Sequence, residues 1–246
     1  MNRNNEQRGR DKLKTRRNYK LDLLYIFNFE PQRMESALSR FACSLHSIRD
    51  QGFNICVSNN SPICIEPFLR NIVPVLRYVH KPYDGPFSRA HGINFGVRSL
   101  VRSEYFMVSD VDLIYHHNHH DAVQRKMRMA LSAAKRPLRM VFWNCNLQPR
   151  YRPAWMNMRI LRRFAATSPQ MESSDYEALS VLPHNGGGFA HGNGVIHLES
   201  FIRLRGYDEE MIGYGPEDDL FNTRICKVND IVYDKGDDTA SIHLWH

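Results

Sequence analysis

Four short apolar runs in the first half of the chain predict β-strands, because each is rich in branched or aromatic residues and bounded by polar or turn-forming ones. They are LDLLYIFNF (21–29), FNICVSN (53–59), VPVLRYVHK (73–81) and YFMVSDVDLIY (105–115). The segments between them predict helices. Residues 34–52 repeat apolar side chains every three or four positions and end at a glycine, and shorter patterns cover 64–71 and 88–101.

Strands and helices that alternate at this spacing favour an α/β fold with a mostly parallel sheet and helices on its faces. In such sheets, ligands bind at the carboxyl ends of the strands. The second half is less regular. Residues 140–147 predict another strand, residues 165–187 are typical of a polar loop, and the glycine-rich NGGGFAHGNGVIHL (185–198) leads into a further strand. No internal repeat or linker is visible, so we expect one domain.

The composition is typical of a soluble globular protein, with 246 residues of which 42% are hydrophobic. No apolar run approaches the ~20 residues of a membrane span, and the N-terminal sequence lacks the apolar core of a signal peptide. The five scattered cysteines contain no CxxC pair, which predicts reduced and mostly buried thiols. We therefore expect the protein in the cytoplasm.

The formal net charge of +7 is concentrated near the N-terminus, where residues 1–20 are typical of a basic disordered tail. Such a tail can contact the anionic inner face of a membrane, or it can simply keep the terminus solvated. Nucleic acid is not an expected partner, because the basic residues are not interleaved with exposed aromatic ones. A second basic run, residues 125–140, is typical of one face of a surface helix.

Asp110 and Asp112 interrupt the last predicted strand, in the stretch EYFMVSDVDLIYHH (104–117). Charges in such an apolar strand are costly to bury unless a ligand binds them. The D-x-D spacing places both side chains on one side of an extended segment, where a nearby cation relieves their repulsion. Mg²⁺ or Mn²⁺ held by carboxylates and substrate phosphates is one interpretation, and a polar turn after a strand is the other.

Three consecutive carboxylates, Glu217, Asp218 and Asp219, follow the turn GYGP (213–216). The proline suits the first turn of a helix, and acidic residues interact favourably with the helix dipole there. Helix capping accounts for one or two of these acids. Three of them beside a glycine-rich turn predict that one carboxylate serves as a catalytic base.

The C-terminal sequence SIHLWH supplies His243 and His246, and neutral imidazole is a ligand for Mn²⁺. The histidines among residues 116–120 follow the D-x-D pair and are a rival source of ligands. We rank them lower, because we expect them to begin a loop that leads away from the aspartates.

These three motifs occur in an order that resembles the nucleotide-sugar glycosyltransferases of the GT-A fold. The matching stretches are PFSRAHGINFGVRSLVRSEYFMVSDVDL (86–113), GNGVIHLESFIRLRGYDEEMIGYGPEDDLFNTR (192–224) and the late histidine. The chain looks most similar to the β-1,4-galactosyltransferase group and to the galactosaminyltransferase domain of bacterial chondroitin polymerases. The resemblance runs from about residue 21 to the end of the chain.

The resemblance implies a role for each matching residue. Asp218 would be the catalytic base, and Glu217 would hold donor or acceptor hydroxyls. The implied metal ligands are Asp112, His243 and His246. Residues implied to bind the nucleotide sugar or to line its pocket are Phe27, Arg33, Asn59, Arg89, Asp110 and Tyr214. Tyr214 stands where the family usually has tryptophan, which changes the expected shape of the acceptor pocket.

The implied function is that of a metal-dependent inverting glycosyltransferase with Mn²⁺ (or Mg²⁺) as cofactor. It would move Gal, GalNAc or a similar sugar from a UDP-sugar to a hydroxyl of a saccharide or glycoconjugate acceptor. The nearest alternative is a retaining GT-A enzyme, although such enzymes usually have Glu-Asn where this chain has Glu217-Asp218. Another is a non-catalytic carbohydrate-binding module. Residues 21–118 would form the nucleotide-binding half of the domain and residues 119–246 the acceptor and catalytic half.

Overall fold

The computed structural model describes residues 18–147, 184–211 and 215–244. The first stretch contains β1 (Leu21–Phe27), α1 (Met34–Ile48), β2 (Asn54–Asn59), α2 (Glu66–Ile72), β3 (Arg77–His80), α3 (Arg89–Leu100), β4 (Tyr105–Ser109), β5 (Leu113–Tyr115), α4 (His119–Ala133) and β6 (Leu138–Leu147). The other two contain β7 (His184–Phe189), β8 (Gly194–His197), α5 (Leu198–Arg203), α6 (Pro216–Ile225), β9 (Asp230–Asp234) and β10 (Ser241–His243).

The first sheet has the strand order β3-β2-β1-β4-β8, in which the first four strands are parallel and β8 is antiparallel to β4. β1 lies at the centre and is buried along its whole length, which explains why every residue of it except Asp22 is apolar or aromatic. Alternate residues of β1 enter two apolar cores, so that Tyr25 packs with Phe41 of α1 and Leu24 with Ile93 of α3. The predicted α/β fold with a mostly parallel sheet is confirmed.

A second sheet has the order β5-β10-β6-β7, and β9 pairs with the first half of β6. β10 is antiparallel to β5 and parallel to β6. This sheet brings the C-terminal part of the chain beside the segment that follows β4. It thereby places His243 opposite Leu113, one residue after the D-x-D motif.

The prediction of one strand over 105–115 is wrong. The chain leaves the first sheet after Ser109, turns at 110–112 and enters the second sheet as β5. The apolar residues on either side of the aspartates are buried in different sheets, and the sequence presents them as one run. Asp110 and Asp112 therefore lie in a turn between sheets and not on one face of a strand.

Prolines explain two further differences from the predicted boundaries. The third strand begins at Arg77 instead of residue 73, because Pro74 has no amide hydrogen to donate to a strand ladder. The basic run 125–140 is helical only to Ala133, and β6 begins directly after Pro137. The segment 116–120 is not a loop leading away, since its last two histidines form the first turn of α4.

The folded part of the chain includes the end of the predicted tail. Tyr19 is buried, its amide donates to Gln124 Oε1 at 2.9 Å, and its ring meets that of Tyr105 edge to face at 5.7 Å between centroids. Residues 1–17 lie outside the described part, as does most of the predicted loop 165–187, whose last four positions belong to β7.

All five cysteines are free thiols, as expected, but only Cys43 and Cys56 are buried. Burial raises the pKa of Cys56 to about 12. None of the helices that the structure describes is both long and apolar enough to cross a membrane.

Asp22 is a fully buried carboxylate within β1 that connects several elements of the first sheet. It accepts hydrogen bonds from the amides of Arg102 (2.6 Å) and Ser103 (2.9 Å) and from Asn54 Nδ2 (3.0 Å), and it pairs with Arg77. Burial by itself raises the pKa of Asp22, but the hydrogen bonds from Arg102, Arg77 and Ser103 outweigh it and hold the pKa below its ordinary value.

The Asp22→Asn substitution should lower the free energy of unfolding at pH 7 by roughly 2–4 kcal/mol, because buried donors lose a charged acceptor. A carboxylate with a depressed pKa stabilises the fold above its unfolded pKa of about 3.9 and loses this effect as the pH falls. Urea denaturation should therefore show the two proteins converging below about pH 4. Asp121→Asn, at a side chain that is 83% exposed, is the control. A constant difference down to pH 2 would contradict this role.

Candidate active site

The turn at 110–112 lies where β4 ends, at the edge where the parallel strands β1 and β2 also end. The side chain of Asp112 is 6% exposed and that of Asp110 is 35% exposed. The amide of Leu244 donates to the Asp112 carbonyl at 2.9 Å and ties the turn to the end of β10. The aspartates thus occupy the place where ligands bind in parallel α/β sheets.

Arg89, the first residue of α3, connects this turn to α6. Its guanidinium donates from Nε to Asp110 Oδ1 (3.0 Å), from Nη1 to Asp218 Oδ1 (2.6 Å) and from Nη2 to the Gly192 carbonyl (3.2 Å). The side chain is only 5% exposed, so these charge-assisted bonds form in a largely dehydrated setting. The resemblance implies a nucleotide contact for Arg89, whereas the structure commits its three nitrogens to protein acceptors.

Three aspartates lie around Arg89, and Arg40 and His243 are further basic groups near them. Burial lowers the pKa of Arg89, but Asp110 and Asp218 outweigh this effect and raise it above its ordinary value. Burial raises the pKa of Asp110, Arg89 opposes this shift, and the charges of Asp112 and Asp218 add to it. A metal cation beside Asp110 and Asp112 would relieve the repulsion between these carboxylates.

Asp112 and His243 are the two predicted metal ligands that the structure brings together. Asp112 Oδ1 lies 3.4 Å from His243 Nε2, close to the separation of about 3 Å expected for neighbouring ligands on one Mn²⁺ or Mg²⁺ ion. Burial lowers the pKa of His243, but the hydrogen bond and charge of Asp112 raise it above its ordinary value. An imidazole and a carboxylate are a donor set that suits Mn²⁺.

His246, the third predicted ligand, lies outside the described residues. Within 18–147, 184–211 and 215–244, no cluster of three or more His, Cys, Asp or Glu side chains could hold a metal ion. The described part of the chain thus offers two adjacent ligands, Asp112 and His243. Substrate phosphates commonly supply further ligands to Mg²⁺ and Mn²⁺ in such sites.

The first turn of α6 begins at Pro216, as predicted, and holds the three consecutive acids in different surroundings. Asp219 is 75% exposed, and its Oδ1 lies 2.5 Å from His191 Nδ1. Asp218 is 19% exposed and faces Arg89. Only Asp218 therefore combines contact with the central arginine and partial access to solvent.

Glu217 is 3% exposed, and burial, with the charge of Asp218, raises its pKa above the ordinary value. Its Oε1 is buried and has no hydrogen-bond partner among residues that the structure describes. Buried acceptors without a partner are costly and uncommon.

A cavity of about 610 Å³ opens beside the aspartates, a volume in the range of small-molecule sites. Its polar and charged lining residues are Asn28, Glu30, Arg33, Ser36, Arg40, Arg89, Asp110 and Asp112. Phe87, whose side chain is 41% exposed, adds an aromatic surface. The cavity thus combines two carboxylates at one end with arginines from the β1–α1 side.

The structure separates the remaining predicted nucleotide contacts. Arg33 lines the cavity, whereas Phe27 is fully buried and its ring stacks on Phe41 at 5.7 Å between centroids. Asn59 is also buried, and its Nδ2 donates to the Ile63 carbonyl at 2.7 Å. The side chains of Phe27 and Asn59 thus pack within the protein, and a nucleotide contact at either residue stays a prediction. Tyr214 lies outside the described residues.

Two arginines of the site carry no prediction from the sequence. Arg40 of α1 lines the cavity, and burial lowers its pKa while the charge of Asp112 opposes that shift. The signal for it was an arginine three residues after Ala37 and next to Phe41, on the apolar face of an amphipathic helix. Arg139 of β6 is fully buried and donates to the His191 carbonyl, which fixes the loop that contains Gly192.

No family model and no curated protein sequence matches the chain. Solved structures do. The mannosyltransferase PcManGT from Pyrobaculum calidifontis, in complex with GDP-Man and Mn²⁺, superposes with a TM-score of 0.53 and 15% identity over 96% of this chain and 62% of its own. GalNAc-T7 with UDP, GalNAc and Mn²⁺ gives 0.57 and 11% over 94% and 44%.

S. aureus TarS, residues 1–349, superposes with a TM-score of 0.56 and 12% identity, over 91% of this chain and 60% of its own. At these identities the matches establish the fold, which is the GT-A fold: a mixed α/β domain with a mostly parallel central sheet and flanking helices. The chain spans less than two thirds of the length of each of these three structures.

Gly192 permits the contact between Arg89 and Asp218, because a Cβ at residue 192 would overlap Asp218 Oδ2 and lie 2.8 Å from Arg89 Nη2. Gly192→Ala should therefore lower the free energy of unfolding by roughly 1–3 kcal/mol, the usual cost of overpacking. Gly188→Ala is the matched control, since nothing lies within 4 Å of a Cβ there. Urea denaturation measures both variants, and equal stabilities would show that the Arg89 contacts do not need this glycine.

Proposed function

We propose that the protein is a metal-dependent glycosyltransferase that moves a sugar from a nucleotide-sugar donor to a hydroxyl group of a saccharide or glycoconjugate acceptor. The observation that carries the proposal is the bridge made by Arg89 between Asp110 of the D-x-D turn and Asp218 of α6, beside a 610 Å³ cavity. The fold supports it as well, because PcManGT and GalNAc-T7 share it and hold a nucleotide or nucleotide sugar with Mn²⁺.

The donor binds in the cavity beside the D-x-D turn. Asp112 and His243 would hold Mn²⁺ (or Mg²⁺), which when bound stabilises the negative charge that develops on a departing diphosphate. Arg33 and Arg40 line the same cavity and can donate hydrogen bonds to phosphate oxygens. Because Arg89 is committed to protein acceptors, its role is to position Asp110 and Asp218.

Residues in the first turn of α6 activate the acceptor. Asp218 is the catalytic base, which takes the proton from the acceptor hydroxyl as its oxygen attacks the anomeric carbon. Attack from the face opposite the leaving nucleotide inverts the configuration at that carbon. Glu217 accepts a hydrogen bond from a sugar hydroxyl through Oε1, the buried oxygen without a partner in the described structure. The guanidinium of Arg89 orients the Asp218 carboxylate.

The donor is a UDP-sugar carrying Gal, GalNAc or a similar hexose. The proposed mechanism is that of the β-1,4-galactosyltransferase group and of the galactosaminyltransferase domain of bacterial chondroitin polymerases. This part of the proposal rests on the motifs 86–113 and 192–224. A cytoplasmic location, and contact of the basic tail with the inner face of a membrane, belong to the same proposal.

A panel of UDP-sugars and GDP-mannose, incubated with the protein and Mn²⁺, tests the reaction through release of the nucleotide. At least one UDP-sugar should release UDP, and EDTA should abolish the release.

Asp112→Ala should remove Mn²⁺-dependent UDP binding in calorimetry, because it deletes one of two adjacent ligands. Asp121→Ala, an exposed carboxylate on α4, should bind as the unchanged protein does. Mn²⁺-dependent UDP binding of unchanged affinity in Asp112→Ala would refute the metal assignment.

The Asp218→Asn substitution tests the base. The amide keeps the size of the carboxylate but cannot accept a proton, so turnover should fall by ~10²-fold or more at saturating donor. Asp219→Asn is the control, since Asp219 is largely exposed and contacts His191 instead of Arg89. NMR of the product should show an inverted anomeric centre. Greater sensitivity at Asp219 than at Asp218 would overturn the assignment of the base, and retention of configuration would favour the retaining class.

A further inference from the structure

One face of the second sheet carries three aromatic rings in mutual contact. Trp143 and Phe189 are paired across β6 and β7, and their rings meet edge to face at 5.2 Å between centroids. Phe189 in turn meets Tyr233 of β9 at 4.9 Å. Tyr233 is 48% exposed, and Trp143 and Phe189 are partly exposed. We call Trp143, Phe189 and Tyr233 the aromatic wall.

The glycine-rich sequence of β7 makes room for this wall. A Cβ at Gly187 would lie 2.5 Å from Trp143 Nε1 and 2.8 Å from the Asn144 carbonyl, so the indole lies directly over the backbone of residue 187. Any larger residue would displace the indole. The nucleotide chemistry does not use this part of the glycine-rich motif. Gly187 instead allows the indole of Trp143 to lie against the surface of the sheet.

The aromatic wall is continuous with the candidate base. The ring of His191 lies 6.2 Å from that of Tyr233, and His191 Nδ1 bonds to Asp219 at the start of α6. The hydroxyl of Tyr233 accepts a hydrogen bond from Asn222 Nδ2 at 3.4 Å, and Asn222 lies one helical turn after Asp218. The wall therefore contacts, through His191 and Asn222, the helix that carries Asp218.

Polar groups frame the rings. Lys235 Nζ lies 4.5 Å from the centroid of Trp143 and 5.3 Å from that of Phe189, and His191 and Asn222 lie at the other side. Aromatic faces are electron-rich and attract the partly positive C–H groups of a pyranose ring, while the surrounding donors and acceptors bind its hydroxyls. Three rings with one largely exposed member are too small for a stable protein interface, which buries about 800 Å² per partner.

We propose that the aromatic wall is the subsite that binds the acceptor, a saccharide whose ring packs on the exposed side of Tyr233 while its reacting hydroxyl points toward Asp218. The proposal rests on the glycosyltransferase function proposed above and names the surface that selects its acceptor. Lys235, His191 and Asn222 supply the hydrogen bonds to the saccharide hydroxyls.

Binding is tested without any donor. The labelled full-length protein is applied to a printed array of oligosaccharides that end in Gal, GalNAc, GlcNAc or glucuronic acid. The unchanged protein should bind a subset of them, and Tyr233→Ala should weaken that binding about tenfold, which is 1.4 kcal/mol. Tyr233→Phe keeps the ring and should bind nearly normally. Ile202→Ala, at an exposed side chain on α5, is the control for a generally altered surface.

Kinetics with an acceptor found on the array separate this subsite from the proposed function. Tyr233→Ala should raise the KM for the acceptor about tenfold and leave the KM for the donor within about twofold. If UDP release is Mn²⁺-dependent but the acceptor KM does not change, the glycosyltransferase stands and the subsite is overturned. If the array binds but no donor reacts, the saccharide site stands and the enzyme proposal falls. If the unchanged protein binds no saccharide on the array, the subsite is overturned as well.

Discussion

A single buried guanidinium holds the candidate active site together. Arg89 bonds to Asp110, which is 21 residues away in sequence, and to Asp218, which is 129 residues away. An arginine that is 5% exposed is stable only with charged or carbonyl partners, and each aspartate in turn needs a cation. The bonds of Arg89 to Asp110 and Asp218 therefore hold α3, the turn after β4 and the start of α6 close together. The cavity beside the D-x-D turn and the carboxylate of Asp218 are close together for this reason.

The two sheets supply the rest of the geometry. The first sheet ends in the D-x-D turn, and the chain must cross to the second sheet directly after it. That crossing exposes Asp110 to the cavity and places Asp112 beside β10. There, Asp112 Oδ1 lies 3.4 Å from His243 Nε2. The second sheet then continues to β6 and β7, which with β9 carry the three residues of the aromatic wall. The Asp112–His243 pair and the aromatic wall therefore belong to one strand assembly, joined at β6 and β10.

The sequence predicted those features that depend on local chemistry. The apolar run of β1, the helix start at Pro216 and the position of the aspartates at a strand end follow from patterns within a few residues. The break between β4 and β5 does not, because both sides of the break are apolar and only the pairing partners differ. The partners of Arg89 are equally invisible in sequence, since they come from three distant segments. The aromatic wall required knowledge that Trp143 and Phe189 are paired.

The proposed function requires a metal ion between Asp112 and His243, beside the cavity. Diffraction at the manganese absorption edge from crystals grown with UDP and Mn²⁺ tests it most directly. We expect one anomalous peak about 2–2.5 Å from a carboxylate oxygen of Asp112 and from Nε2 of His243, with the diphosphate of UDP completing its ligands. A manganese peak at the histidines of 116–120, or UDP bound with no manganese at Asp112, would contradict it.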